Sequence, residues 1–380
     1  MMSELVITNA RLVTRDEEFL GTLHVRAGMI ADVSTGAVAV CGAQDWCGDY
    51  LLPGLIELHT DNLEKHLMPR PEVRWPEFPA LLSHDAEIAA AGITTVFDAL
   101  GVGDADEQAL RGQDMRPLLD SMDRAERDGL LRADHRLHVR CELPAPNAVT
   151  LFEPFAGNAR VGLLSLMDHT PGQRQWTDIE KARVYYTGKK GWSDARFDRV
   201  VAEAGELQAR YAAPHRRYFL EHARTRGIAV ASHDDTTSEH VAEARAEGIA
   251  ISEFPTSELA ARHAHEAGLA TVMGAPNVVR GGSHSGNACA TALARAGLLD
   301  ALSSDYVPAS LMHAAFLLVE RAGFGVPAAI ATVSANPAAM AKLHDRGDIA
   351  HGKRADFSRV RLARNMPSVL AVWRGGRRIV

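Results

Sequence analysis

The stretch LLPGLIELHTDNLEKHLMPRP, residues 51–71, governs how the rest of the chain is read. Its first half is apolar enough for a strand buried on both faces, as parallel strands covered by helices are. Yet it ends in His59 and Asp61, then passes at once into a charged loop carrying Glu64, Lys65, His66 and Arg70. Strand side chains alternate between faces, so His59 and Asp61 point the same way, opposite to Ile56 and Leu58. In a parallel barrel that shared direction is inward.

The same texture recurs downstream. GLIELHT, TTVFDAL, RLHVRCEL, VGLLSLMDH, IAVASHDD, IAISEFP, ATVMGAP and LDALSSDY are short apolar runs separated by Ala-, Leu- and Glu-rich helical stretches. Eight such units predict an α/β chain folded as a (β/α)8 TIM-type barrel, whose functional groups gather at the C-terminal strand ends. A doubly wound open sheet is the competing topology. Residues 177–214 interrupt the alternation with an extra helical excursion. Both chain ends instead alternate with a period near two, which predicts a small β-sandwich domain from residues 1–52 and 345–380 flanking a barrel at 53–344. The segment ADFSRV, residues 355–360, is less apolar than a strand at that place should be.

Composition narrows the function. Lys and Arg total 41 against 48 Asp and Glu, a net charge of -7, so no global positive field marks a nucleic-acid binder. An anionic ligand would have to be caught locally. The cysteines Cys41, Cys47, Cys141 and Cys289 form no C-x-x-C pair, and the first residues lack a basic segment followed by an apolar one. The expectation is a reducing, cytoplasmic location. No apolar run approaches the roughly 20 residues that cross a bilayer.

Several strands end in a residue able to bind metal: His59 and Asp61 on the first, Glu142 on the third, His169 on the fourth, His233 on the fifth and Asp305 on the last. A single one of these could be a hydrogen-bonded structural residue. Six at strand ends supply the mixed nitrogen and oxygen donors that zinc or a similar divalent ion accepts. Basic residues follow the same strands, Lys65, Arg70, Arg174 and Arg280, and the glycine-rich run Gly281, Gly282, Ser283, His284 and Ser285 offers amides and hydroxyls to oxyanions. Together they predict a phosphate clamp. Glu57 and Arg140 should also face inward and offset one another as an ion pair.

Three further motifs carry less. GDIAHGK, residues 347–353, has P-loop spacing, but Arg354 stands where the magnesium-binding hydroxyl belongs. His263 and His265 fall two apart on an expected helix and do not share a face. His84 and Asp85 read as a helix start, with a site role left open by their nearness to the first loop.

PGLIELHTDNLEKH, HRLHVRCELP, SLMDHTPGQRQ, ASHDD, EFPT, MGAPNVVRGGSHSGN and LSSDYVPASL together resemble the amidohydrolase superfamily, and within it the branch that cleaves a triphosphate in phosphonate degradation. The superfamily pattern has His-x-His on strand one, a bridging Lys or Glu, two further histidines and an Asp on the last strand. This chain has Asp61 in place of the second histidine and Glu142 in the bridging place. The resemblance implies two divalent ions, zinc or else manganese or iron, and a water that attacks phosphorus with Asp305 taking its proton. It also implies a small-molecule substrate, a 5-triphosphate of a ribosyl methylphosphonate, with pyrophosphate released. A homodimer and a functional link to other phosphonate-degrading enzymes are left open. A C–N hydrolase such as a deacetylase or deaminase is the alternative, and a non-catalytic phosphate-ester sensor a second one.

Overall fold

The computed structural model describes residues 4–104, 110–174, 179–283 and 286–380. From the N-terminus come β1 (Glu4–Val13), β2 (Glu18–Arg26), β3 (Met29–Thr35), β4 (Gln44–Asp45) and β5 (Tyr50–Pro53). Then follow β6 (Leu55–Thr60), β7 (Ile93–Val102), β8 (Asp134–Glu142), β9 (Val161–Met167), β10 (Ala229–His233), β11 (Ile251–Glu253), β12 (Ala270–Gly274) and β13 (Ala301–Ser303). The chain ends in β14 (Phe357–Ala363), β15 (Met366–Arg374) and β16 (Arg377–Arg378). Strands β6 to β13 match the eight apolar runs and lie in sequence order in one sheet, in the manner of a barrel; β6 with β7 and β8 through β12 pair in parallel. The open-sheet alternative fails at the seam. Thr60 bridges Asp305 in parallel, which brings the last strand back to the first.

Both chain ends contribute strands to one sheet. This sheet is mixed, of order β16-β15-β14-β5-β1-β2-β3, with β4 on β1. Trp46, Phe357 and Trp373 anchor its core, with Trp46 and Trp373 rings 5.4 Å apart. The weakly apolar segment after Ala355 keeps its place in this sheet because Phe357, Ser358 and Val360 are buried while Arg359 and Arg361 reach Asp49 at 2.6 and 2.8 Å. Burial alone would raise the Asp49 carboxyl, and the two guanidiniums outweigh it and hold it below the usual carboxylate range.

By internal contacts the chain divides into two compact units, Met1–Asp98 with Asp120–Arg136 and Met273–Val380, and Ala99–Leu119 with Leu137–Val272. In the second unit the expected excursion appears as helices Ile179–Lys190 and Asp194–Arg226, the latter capped by Ser193 and ended by Gly227 in the left-handed region. In the first unit β5 passes into β6 through Gly54, where a Cβ would stand 2.3 Å from Thr94 Oγ1; only glycine lets the strands approach so closely. No helix among the described residues is long and apolar enough to cross a membrane.

Helices α1 (Asn62–Leu67) and α2 (Glu77–Ala90) follow the first barrel strand. His84 and Asp85 lie deep within α2, not at its start. The helix begins at Glu77 because Pro79 is tolerated only in a first turn. Both residues are wholly buried and join a chain of hydrogen bonds: His84 Nε2 to Asp98 Oδ1 at 2.7 Å, His135 Nδ1 to Asp98 Oδ2 at 2.8 Å, and His135 Nε2 to Asp85 Oδ1 at 3.2 Å. Arg132 closes the chain on Asp85 at 3.0 Å. Burial alone would lower the His135 imidazole, but the Asp98 charge and the bonds to both carboxylates push it up to about 9. Burial would raise Asp98, and the two imidazoles hold it at about 2.

These shifts set a pH window for stability. The His135 contribution is complete below its ordinary value of 6.5 and is lost as pH rises through about 9. The Asp98 contribution is present above 3.8 and fades as pH falls through about 2. Scanning calorimetry should therefore show the melting temperature falling between pH 6.5 and 9. His135→Asn should melt lower throughout but lose less over that interval; parallel curves for the two proteins would contradict the assignment.

Candidate metal and phosphate site

In the first unit the seam itself gathers three of the expected ligands. Asp305 N donates to His59 O at 3.0 Å, Asp61 N donates to Asp305 O at 2.8 Å, and Thr60 Oγ1 donates to the same carbonyl at 2.9 Å. These bonds fix the backbone on either side. His59, Asp61 and Asp305 each bring a donor atom within 4.8 Å of the others, and His59 Nε2 lies 3.5 Å from Asp61 Oδ1. Asp305 has φ 54, a left-handed conformation that Asp tolerates better than most residues and that turns the chain sharply out of β13. Below them Glu57 is wholly buried, as the alternation predicts, and its two oxygens accept from His59 N and Ser304 N, each at 2.6 Å. Its charge is thus met by backbone amides of both seam strands, a compensation that side-chain pairing with Arg140 does not describe. Burial still pushes the Glu57 carboxyl up to about 7.

In the second unit His169 and His233 are gathered with Asp234, again with donor atoms within 4.8 Å. Each histidine has a carboxylate behind it. His169 Nδ1 donates to Glu142 Oε2 at 2.5 Å, and the His169 amide donates to Glu142 Oε1 at 2.9 Å. His233 Nδ1 donates to Glu253 Oε2 at 2.8 Å, and Glu253 also accepts from Ser165 Oγ at 2.7 Å. With Nδ1 carrying the proton, each Nε2 keeps a lone pair, and both face Asp234 Oδ2, at 4.0 Å from His169 and 3.5 Å from His233. Metal-binding histidines are oriented in this way by carboxylates on their other nitrogen. The donor set therefore fits divalent ions. Glu142, expected in the bridging place, spends both oxygens on His169 here. Burial would raise its carboxyl, and the neighbouring His169, through its ring and its backbone amide, outweighs this to hold it at about 2.

Sequence reading missed Asp234 and Glu253. The pattern that could have exposed them is the pair of acids directly after His233 in SHDD, and the acid ending β11 in ISEF. It also missed Arg111, in the short helix Leu110–Gly112, whose charge helps lower Glu142. Nothing in its local sequence marks it; Gly101 makes room for it, since a Cβ there would meet Arg111 Cγ at 2.5 Å.

The expected phosphate residues divide. Lys65 is exposed on α1, a helix where a loop was expected, and Arg70 is exposed just beyond it; Lys65 Nζ donates to Tyr306 O at 2.9 Å and Asn62 Oδ1 at 3.2 Å. Arg280 is exposed at the end of helix Ala275–Arg280, next to Gly281 and the half-buried Ser283. His284 and Ser285 lie outside the described residues. Arg174 differs: it is buried, and its Nη1 donates to Asp235 Oδ1 at 2.6 Å, Ser232 Oγ at 3.1 Å and His233 O at 3.1 Å. It braces the turn that carries His233 and Asp234. The P-loop-like run is a turn in which Lys353 donates to His344 O at 2.6 Å, and His263 and His265 sit on helix Glu258–Glu266, as expected.

Comparison with known proteins agrees with this geometry. The model of the amidohydrolase family matches residues 192–380. The chain is 45% identical over 377 residues, 99% of its length and 100% of the other, to the alpha-D-ribose 1-methylphosphonate 5-triphosphate diphosphatase of Escherichia coli strain K12. Among solved structures it resembles molinate hydrolase, with TM-score 0.67 and 15% identity over 99% of this chain and 94% of that one. It also resembles the 5-methylcytosine deaminase of Klebsiella pneumoniae, with TM-score 0.65 and 16% identity over 99% and 97%. At such identities the structural matches speak for the fold alone. With the barrel and the histidine and carboxylate clusters already in place, the extent of the identity decides the matter: the chain belongs to the amidohydrolase family.

Proposed function

We propose that this chain hydrolyses alpha-D-ribose 1-methylphosphonate 5-triphosphate to the 5-phosphate and pyrophosphate. The observation that carries the reading is the 45% identity over nearly the whole chain to a diphosphatase of that name. Exposed Lys65 and Arg280 beside ligand-bearing strand ends support it. Release of pyrophosphate requires cleavage of the anhydride between the first and second phosphates, with water supplying the new oxygen.

His59, Asp61 and Asp305 would hold one divalent ion. His169, His233 and Asp234 would hold the second, with Glu142 and Glu253 fixing the imidazoles; zinc is the first choice for both and manganese or iron the alternatives. Divalent ions supply charge that makes water nucleophilic near neutral pH and neutralises developing negative charge. The remaining work falls to the chain. Asp305 takes the proton of the attacking water and passes it on as pyrophosphate departs. Lys65, Arg70 and Arg280, with Ser283 and His284, hold the phosphates in line, since phosphoryl transfer depends mainly on positioning and charge stabilisation. Arg174 acts one step back, through His233. The functional division we adopt is the β domain of residues 1–52 and 345–380 and the barrel of 53–344. The four unpaired cysteines support a cytoplasmic setting.

Phosphorus NMR with the triphosphate should show pyrophosphate and a phosphate ester in equal amounts, activity lost to a chelator and restored by zinc or manganese. Amide hydrolysis without phosphoanhydride cleavage would reverse the choice in favour of a C–N hydrolase. Asp305→Ala should lower kcat by about 100-fold or more, the usual range for a removed acid–base group. Turnover surviving in that variant would remove Asp305 from the proton path, and binding with no turnover in the parent would favour a sensor. Arg280→Ala should raise KM about tenfold with kcat little changed, as expected for one charge-assisted phosphate contact.

A further inference from the structure

The buried histidine His84 belongs neither to the two ion sites proposed above nor to the phosphate residues; it is gathered with Asp98 and His135. Its Nε2 lies 2.7 Å from Asp98 Oδ1, and its Nδ1 lies 3.1 Å from Asn62 Nδ2. The buried Asn62 amide also donates to Glu87 Oε2 at 2.9 Å, while its Oδ1 accepts from Lys65 Nζ at 3.2 Å. Proton accounting then permits one arrangement. Ionised Asp98 can only accept, so His84 carries its proton on Nε2 and offers a lone pair at Nδ1. That lone pair can accept only from the NH2 of Asn62, which turns the amide oxygen towards Lys65. The reverse orientation would set the amide NH2 against the lysine ammonium, donor against donor. Asp98 is held in turn by His135, and His135 by Asp85. Burial lowers the His84 imidazole, in keeping with a neutral ring.

We propose that His84 is a positioning residue for phosphate binding: by fixing the Asn62 amide it anchors the Lys65 ammonium with two of its three N–H donors committed and the third left for a phosphate oxygen. The committed donors are those to Asn62 Oδ1 and Tyr306 O. The proposal rests on the reading of Lys65 as a phosphate contact, and its test separates the two.

The measurement is binding of inorganic tripolyphosphate to the full-length, metal-loaded protein by isothermal titration calorimetry, which needs no turnover. His84→Gln keeps a donor near the Asp98 side but loses the acceptor for Asn62. His84→Asn places an acceptor at the Nδ1 position and loses the Asp98 bond. Lys65→Ala should weaken binding about tenfold, the scale of one charge-assisted hydrogen bond. H84Q should weaken it by a similar factor, H84N by less than about twofold, and H84Q should have no further effect in the K65A background, the signature of coupling in a double-mutant cycle. Equal losses in H84Q and H84N, or an H84Q loss that persists in K65A, would overturn the positioning role. Unchanged binding by K65A would overturn the clamp reading itself. Should H84Q not fold, Asn62→Leu removes the same acceptor for Lys65 and is read by the same cycle.

Discussion

Three hydrogen bonds at the barrel seam hold the rest in place. The peptide units of His59, Thr60 and Asp61 on the first strand and Asp305 after the last are locked to each other, with Glu57 clamping His59 N and Ser304 N just below. A barrel has no free edges only if its first and last strands meet, and here they meet at the residues whose side chains form a candidate metal cluster. Closure of the sheet and assembly of the ligands are therefore one event. The left-handed turn at Asp305 and the buried carboxyl of Glu57 are local costs tolerated because the seam over-determines the backbone there.

A second regularity is that the chemistry-bearing histidines are set by acids behind them. Glu142 stands behind His169, Glu253 behind His233 and Asp98 behind His84. In each case the carboxylate decides which ring nitrogen keeps its proton, and so whether the opposite nitrogen faces the site as a lone pair. For His169 and His233 that lone pair suits a metal ion. For His84 it suits an amide, and the same device governs the orientation of a lysine. Arg174 extends the logic to the backbone by bracing the turn after β10.

Much of this was legible in the chain because it depends on periodicity. Eight apolar runs, each ending before a turn, could be counted, and strand alternation placed His59 and Asp61 on one face. The sheet built from both ends was legible for the same reason, although Arg359 and Arg361 obscured one strand until Asp49 supplied their partner. Asp234, Glu253 and Arg111 escaped because their roles depend on what another strand or loop brings to them. His84 and Asp85 escaped because a helix interior and a helix start differ only by where the first turn begins.

By itself the sequence determined the type of fold, the strand ends that carry donor atoms and the kind of ion those donors suit, since these follow from local pattern and the chemistry of side chains. Tertiary structure alone decided which oxygen meets which nitrogen. It set Glu142 behind His169, withdrew Arg174 from the solvent, and met the buried carboxylate of Glu57 with two amides, one 2 residues from it along the chain and the other 247. Hydrogen-bond partnership depends on distance and direction in three dimensions, and no spacing along the chain encodes it.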